Sequence, residues 1–317
     1  MNNTKCLYCY NELNSDEKDF HYKCSKKFFG KSLPPEIDFL ESEIEDKGLI
    51  LINGRKSVTG VQEKLSLHLE KIGIDIKPDR LTISGISGNF ILKPHSVQYP
   101  FLAEYEDLTI HLAEIAGIKV VPHSLIRMKS GNLAYITKRV DRTKQGTKIH
   151  MEDMCQLSER LTEDKYKGSY EQIAKTIRKF TNRELDVTNF TELVIFSFIT
   201  GNSDMHLKNF SLIESGLNNY ELSPAYDLLP VKLILKSDKE DLALTLNGKK
   251  RNFTFNDFIN FIETIKLNRK VFDNIIAKFY KKETEWYEFI SGSFLPNQKQ
   301  DEYKELIRNR MTIFRKM

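Results

Sequence analysis

Residues 201–213 read Gly201-Asn-Ser-Asp204-Met-His206-Leu-Lys208-Asn209-Phe-Ser-Leu-Ile213. Asp204 and Asn209 have the Asp-x4-Asn spacing of a phosphoryl-transfer loop. In such a loop the Asp takes the proton of the attacking hydroxyl, and the Asn holds a metal ion on the nucleotide phosphates. Lys208, between them, can neutralise charge on the transferring phosphoryl group. Eighteen residues past Asn209, Pro224-Ala-Tyr226-Asp227 supplies a second acid suited to Mg²⁺. Asp and Asn at this spacing also occur as plain turn residues. The order of what precedes them gives the motif its weight.

Upstream, Phe90-Ile-Leu-Lys93-Pro94 reads as an apolar strand ending in a lysine. A lysine there either snorkels at a sheet edge or pairs the α- and β-phosphates. Glu106 on the following helix can hold it by an ion pair, and Glu104 is also available. Further upstream, Ser57-Val-Thr59-Gly60-Val-Gln62-Glu-Lys64 is a candidate phosphate loop. It has one glycine, yet backbone N–H groups around Gly60 can cradle an anion. A phosphate-covering loop, a strand lysine, an Asp…Asn loop and a metal Asp thus follow in the order that kinase-type sites need.

The flanking pattern predicts strands at 48–52, 65–69, 89–93, 120–127 and 133–140. A helix is expected over 101–116, where Leu102, Tyr105, Leu108, Leu112 and Ile115 share a face and Gly117 supplies a stop. Residues 36–46 hold six acids in eleven, with Ile37, Leu40 and Ile44 at helical spacing, and read as a solvated helix. A helical region starts near Glu152, and 190–200 reads as a buried helix. A loop-rich segment follows over 201–230, then amphipathic helices over 255–280 and 302–314. This is an α+β arrangement of two lobes, strand-rich then helical. The expected divisions are 1–30, 31–145 and 146–317.

The N-terminal division carries Cys6-Leu-Tyr-Cys9 and, after eleven residues, His21-Tyr-Lys-Cys24. Two such knuckles can close four thiolate and imidazole ligands around one tetrahedral, structural Zn²⁺. So small a unit rarely folds without a metal or disulfide. Three clustered cysteines would leave one unpaired in a disulfide set. Cys155 lies far away and reads as a buried apolar residue.

Composition narrows the class. The chain has 317 residues, enough for two modules, and 20 Phe with 13 Tyr give ample core material. A net charge of +4, from 48 basic and 44 acidic residues, is too small to argue for nucleic acid binding. The most apolar run, 193–199, falls well short of the roughly 20 residues of a membrane span. No secretory signal is visible, so no membrane partner and a cytoplasmic location are expected.

Together these segments resemble the HipA-like family of toxin serine/threonine kinases. The matching stretches are Ser57 to Lys64, Phe90 to Pro94, Tyr105-Glu106, Lys138-Arg-Val140-Asp-Arg142, Glu152 to Gln156, Asp204 to Ser211 and Pro224 to Asp227. The resemblance implies a protein-kinase-like fold and an ATP-dependent protein serine/threonine kinase using Mg²⁺. Asp204 would be the base, Asn209 and Asp227 the metal ligands, and Lys93 a phosphate ligand. Thr59, Gly60, Gln62 and Lys64 would cover the nucleotide. Lys138 to Val140 would be the hinge that meets adenine through its backbone, and His206, Lys208 and Tyr226 would line the pocket. Ser57 matches a serine that family members autophosphorylate to switch themselves off.

Two features depart from the family pattern. The hinge usually has Glu and Phe where this chain has Lys138 and Val140. Only 56 residues precede Ser57, fewer than a full N-terminal subdomain. That resembles split systems whose missing subdomain is a separate small protein, accompanied by a helix-turn-helix antitoxin through which DNA is reached. Family members phosphorylate proteins such as an aminoacyl-tRNA synthetase. Two other functions fit the same residues: a catalytically silent partner docking antitoxin or DNA through the zinc unit, and a small-molecule or lipid kinase.

Overall fold

The computed structural model describes residues 4–41, 43, 64–72, 77–84, 88–143, 145–217 and 219–315. The expected strand at 48–52 and the candidate loop residues Ser57, Thr59, Gly60 and Gln62 lie outside these. The described chain clusters into two compact units. One draws on Met1–Leu108, Val121–Thr147 and Gly292–Leu295, the other on Thr109–Val120, Lys148–Ser291 and Pro296–Met317.

The first unit is built on an antiparallel sheet of β1 (Leu65–Glu70), β2 (Arg80–Ile83), β3 (Phe90–Lys93), β4 (His123–Arg127) and β5 (Leu133–Lys138), in the order β2-β1-β3-β5-β4. Leu67 stands opposite Phe90, and Leu92 opposite Ile136. Leu65, Leu67, Leu92, Leu125 and Ile136 are fully buried. Lys93 therefore ends a central strand and is no edge residue. The Cys/His segment belongs to this unit. Its helix, Tyr22–Phe29, stops at Gly30, whose φ of 93° few other residues adopt. Phe28 and Phe29 bring their rings within 6.0 and 6.1 Å of Phe90. The Leu7 carbonyl accepts from the Leu125 amide and the Ser124 hydroxyl, each at 3.2 Å. Arg127 clasps the Asp19 carboxylate through Nε (2.9 Å) and Nη2 (2.7 Å).

The second unit centres on the helix Glu184–Thr200, buried throughout from Phe190 to Thr200. Its hydroxyl-bearing members keep this burial tolerable by bonding backwards along the helix, and Glu192 pairs with Lys278. The hydroxyls of Thr191, Ser197 and Thr200 donate to the carbonyls of Val187, Leu193 and Phe196. Gly201 ends the helix at φ 73°, and a Cβ there would come within 2.6 Å of Leu306. Helices Tyr170–Thr181 and Asn297–Met311 pack against this core helix. A second antiparallel sheet holds β6 (Met151–Asp153), β7 (Ser211–Gly216) and β8 (Asn219–Leu222) in that order. Among the described residues no helix is long and apolar enough to cross a membrane.

Several local expectations change. The acidic segment is not helical over residues 37–40. Ile37 and Phe39 are buried while Leu40 is exposed, a period of two. The cause is pairing: Glu36 donates to the Asp79 carbonyl and accepts from the Leu81 amide, alongside β2. Residues 151–153 form a strand, and the helix expected at Glu152 begins at Met154, capped by Asp153. The loop-rich stretch contains the β7–β8 hairpin. The helix expected over 255–280 is two, Phe255–Thr264 and Arg269–Ser291, separated where Lys266 takes φ 54°.

Candidate active site

In the first unit, the Lys93 ammonium lies 2.5 Å from Oε1 of Glu106. Both side chains are almost wholly buried, at 3% and 0% exposed. The ammonium also stands 5.4 Å over the Tyr135 ring, a second compensation for its desolvation. Glu106 comes from the helix Leu102–Ile115. Of the two glutamates available by sequence, Glu106 makes the pair. Glu104 is buried elsewhere, and burial pushes its carboxyl up to about 7. Next to Glu106, Asp107 accepts from the Tyr10 hydroxyl at 2.8 Å and faces His123 Nδ1 at 2.7 Å.

The expected adenine-facing segment ends β5. The Lys138 amide donates to the Pro122 carbonyl and the Arg139 amide to Asn89, both at 2.9 Å. Those two donors are thus already committed. The Lys138 ammonium stands over the Phe28 ring at 5.2 Å. Val140 is half-buried two residues past β5, and Lys64 immediately precedes β1.

In the second unit, the loop after Gly201 folds around its own side chains. The Asn202 side-chain oxygen accepts from the Asp204 amide at 3.2 Å, and its Nδ2 reaches the Asp227 carbonyl at 3.5 Å. One asparagine thereby ties the Asp204 and Asp227 segments together. The Asn209 side chain donates to the Asp204 carbonyl at 2.9 Å, closing the loop across a short 3₁₀ turn at Leu207–Asn209. Asp227 has a left-handed backbone, φ 54°. Tyr226 donates to the Lys208 carbonyl at 3.0 Å and meets the Ser211 hydroxyl at 2.5 Å. Burial pushes its phenol well above the ordinary value.

Two partners here had no signal in the sequence around Asp204 and Lys208. Tyr166 donates to Oδ1 of Asp204 at 2.5 Å, and its ring meets buried His206 edge-on at 4.9 Å. Asp153 holds the Lys208 ammonium at 2.5 Å. Both lie far away in the chain and no spacing rule reaches them. Asn202, by contrast, lies two residues before Asp204, and a side-chain turn was readable there.

The Cys6, Cys9, His21 and Cys24 ligand atoms all lie within 4.8 Å of one another. His21 Nδ1 is 3.3 Å from Cys9 Sγ and 3.7 Å from Cys24 Sγ. A Zn–S bond of about 2.3 Å gives a tetrahedron with edges near 3.7 Å, so the four atoms suit zinc. His21 Nε2 lies 2.9 Å from the Glu12 carbonyl, and the tautomer that donates there leaves Nδ1, which faces the thiols, as the nitrogen a metal would take. Hydrogen bonding between Cys6 and Cys9 lowers the Cys9 thiol to about 7 and raises Cys6 to about 12. Cys155 is separate and buried. For Mg²⁺, Asn209 and Asp227 offer the hard oxygen donors that ion takes.

The fold is of the kinase-like class. A chain of the Shewanella oneidensis toxin–antitoxin complex of HipA, HipB and its operator DNA matches 85% of this chain and 68% of its own length, with a TM-score of 0.68 and 21% identity. The Helicobacter pylori proinflammatory kinase CtkA matches 71% of this chain and 86% of its own, with a TM-score of 0.53 and 15% identity. The family model of the HipA-like C-terminal domain matches residues 56–286. The chain belongs to that family of HipA-like kinases. A Haemophilus influenzae protein named "Putative kinase" is 29% identical across 92% of this chain and 90% of its own length. "Putative kinase Y4dM" of Sinorhizobium fredii is 35% identical across 63% of this chain and 50% of its own.

Proposed function

We propose that the chain is an ATP- and Mg²⁺-dependent protein serine/threonine kinase acting as the toxin of a toxin–antitoxin system. The observation that carries this is the loop built on Asn202, which binds the Asp204 and Asp227 segments into one piece. Asp204 takes the proton of the acceptor hydroxyl as its oxygen bonds to the γ-phosphorus and ADP leaves. The Asn209 side chain, bonded to the Asp204 backbone, keeps the base and the metal ligands in one register. Asn209 and Asp227 hold Mg²⁺, which neutralises charge on the phosphates. Lys93, oriented by Glu106, binds phosphate. Lys208 is steadied by Asp153 beside the base. Lys138 to Val140 meets adenine through backbone groups other than the committed Lys138 and Arg139 amides, with His206 and Tyr226 in the pocket. Thr59, Gly60, Gln62 and Lys64 cover the phosphates, and Ser57 is the autophosphorylated residue. Zn²⁺ at Cys6, Cys9, His21 and Cys24 is structural.

The acceptor is a protein such as an aminoacyl-tRNA synthetase. A small N-terminal-subdomain-like protein and a helix-turn-helix antitoxin are the partners, and DNA is reached through the antitoxin. HipB and operator DNA accompany HipA in the Shewanella complex, which supports this assignment. Labelled ATP with Mg²⁺ tests the chemistry. Label on Ser57 that disappears in Asp204→Ala is expected. Absence of ATP binding by the intact protein would overturn the reading, and transfer only to an added sugar or lipid would move it to another kinase class.

A further inference from the structure

The Cys/His knuckle touches both carriers of the Lys93–Glu106 pair. Phe28 and Phe29 follow Cys24 by a turn of helix and rest against Phe90, three residues before Lys93 on β3. Tyr10 follows Cys9 directly, and its hydroxyl holds Asp107, the neighbour of Glu106. Tyr10 is 6% exposed and sits at φ 64°, a backbone state that a tyrosine keeps only when its surroundings fix it. Its ring packs edge-on against Phe294 at 4.7 Å, so the hydroxyl is delivered from a braced ring. Asp107 is wholly buried, and His123 on β4 faces its other oxygen. The knuckle thus brackets the strand and the helix from one side.

We propose that the metal in the knuckle anchors the Lys93–Glu106 pair, with Tyr10 as the positioning residue that transmits it through Asp107. This rests on the reading of the knuckle as a zinc site and of Lys93 as a phosphate ligand. The backbone turn at Cys9 is set when its thiolate is a ligand. That turn aims Tyr10. Tyr10 fixes the rotation of the helix at Asp107, and Glu106 one residue earlier then meets the ammonium on β3. Without the anchor this turn of the helix opens more often and loses its register against the strand. The knuckle is then more than a means of keeping a short segment folded. It sets the geometry of a distant ion pair that its own ligands never touch.

The test uses the full chain loaded with zinc, and the variant Tyr10→Phe, which keeps the ring and removes only the hydroxyl. Zinc content is measured first, by itself, and is expected to stay at one ion per chain. The variant should then exchange backbone amides about tenfold faster over residues 105–108, the scale of one hydrogen bond to a charged group. Exchange in the core helix Glu184–Thr200 should not change. The KM for ATP should rise by about the same factor with a smaller change in kcat. Zinc removal from the wild-type chain should reproduce the faster exchange, and Tyr10→Phe should then add little. Unchanged exchange over 105–108 in zinc-loaded Tyr10→Phe would overturn the proposal. A folded wild-type chain that binds no zinc defeats the zinc reading and the anchor with it. Altered exchange with no ATP binding by wild type leaves the anchor standing and removes the kinase reading.

Discussion

The Tyr166 hydroxyl donates to Oδ1 of Asp204 at 2.5 Å, so one oxygen of this carboxylate already accepts a hydrogen bond from within the protein. A donor there stabilises the ionised carboxylate. On the proposed reading of Asp204 as the base, Tyr166→Phe should therefore move the acid limb of the pH–rate profile for phosphoryl transfer to higher pH. An unchanged profile would mean that the bond does not bear on the base.

Glu106→Gln leaves the Lys93 ammonium buried without its counter-charge. Breaking a buried pair from one side costs about 3–5 kcal/mol. A marked fall in thermal stability is expected, together with loss of ATP binding. The double change Lys93→Met with Glu106→Leu should restore most of the stability and none of the nucleotide binding. Restored binding would show that the pair is structural only.

Glu104 provides a pH signature. Burial raises its carboxyl from 4.5 to about 7, with the nearby Asp107 charge adding to the effect. The folded state therefore holds this proton more tightly than the unfolded state. The contribution to stability is complete below about pH 4.5 and is lost as pH rises through about 7. Denaturant titrations across that range should show a fall in stability that Glu104→Gln flattens. The same slope in the variant would assign the dependence to other groups.

Phe28 is 2% exposed and meets Phe90 on β3. Phe28→Ala should cost about 3–5 kcal/mol, as removal of a buried aromatic does. Because Leu7 and Asp19 are also bonded to β4, the Cys/His segment and the sheet should melt in one transition. Two separated transitions would show that the segment folds by itself.

What is local was legible. The apolar strand before Lys93, the short loop from Asp204 to Asn209 and the gathering of Cys6, Cys9, His21 and Cys24 all depend on short stretches of chain. Periodicity left both Glu104 and Glu106 available, and the resemblance favoured Glu106, which makes the pair. Two residues on a helix point in quite different directions, and only the position of β3 selects one. The acidic segment misled because Ile37 and Phe39 fit a period of two as well as Ile37 and Leu40 fit a helical one. The bonds from Glu36 to Asp79 and Leu81 decide it, and they join parts of the chain that no window covers. Tyr166 on Asp204 and Asp153 on Lys208 were hidden for the same reason.

The left-handed backbone of Asp227, φ 54°, constrains how this position can change over evolutionary time. Most residues in that conformation cost about 1–2 kcal/mol, while Asn and Gly enter it easily. A lineage that gave up phosphoryl transfer would drift here toward Asn or Gly, which erase the charge and keep the turn. Alanine would disturb the turn as well. Inactive descendants of this fold should thus be recognisable by an amide or a bare backbone where the acid once stood.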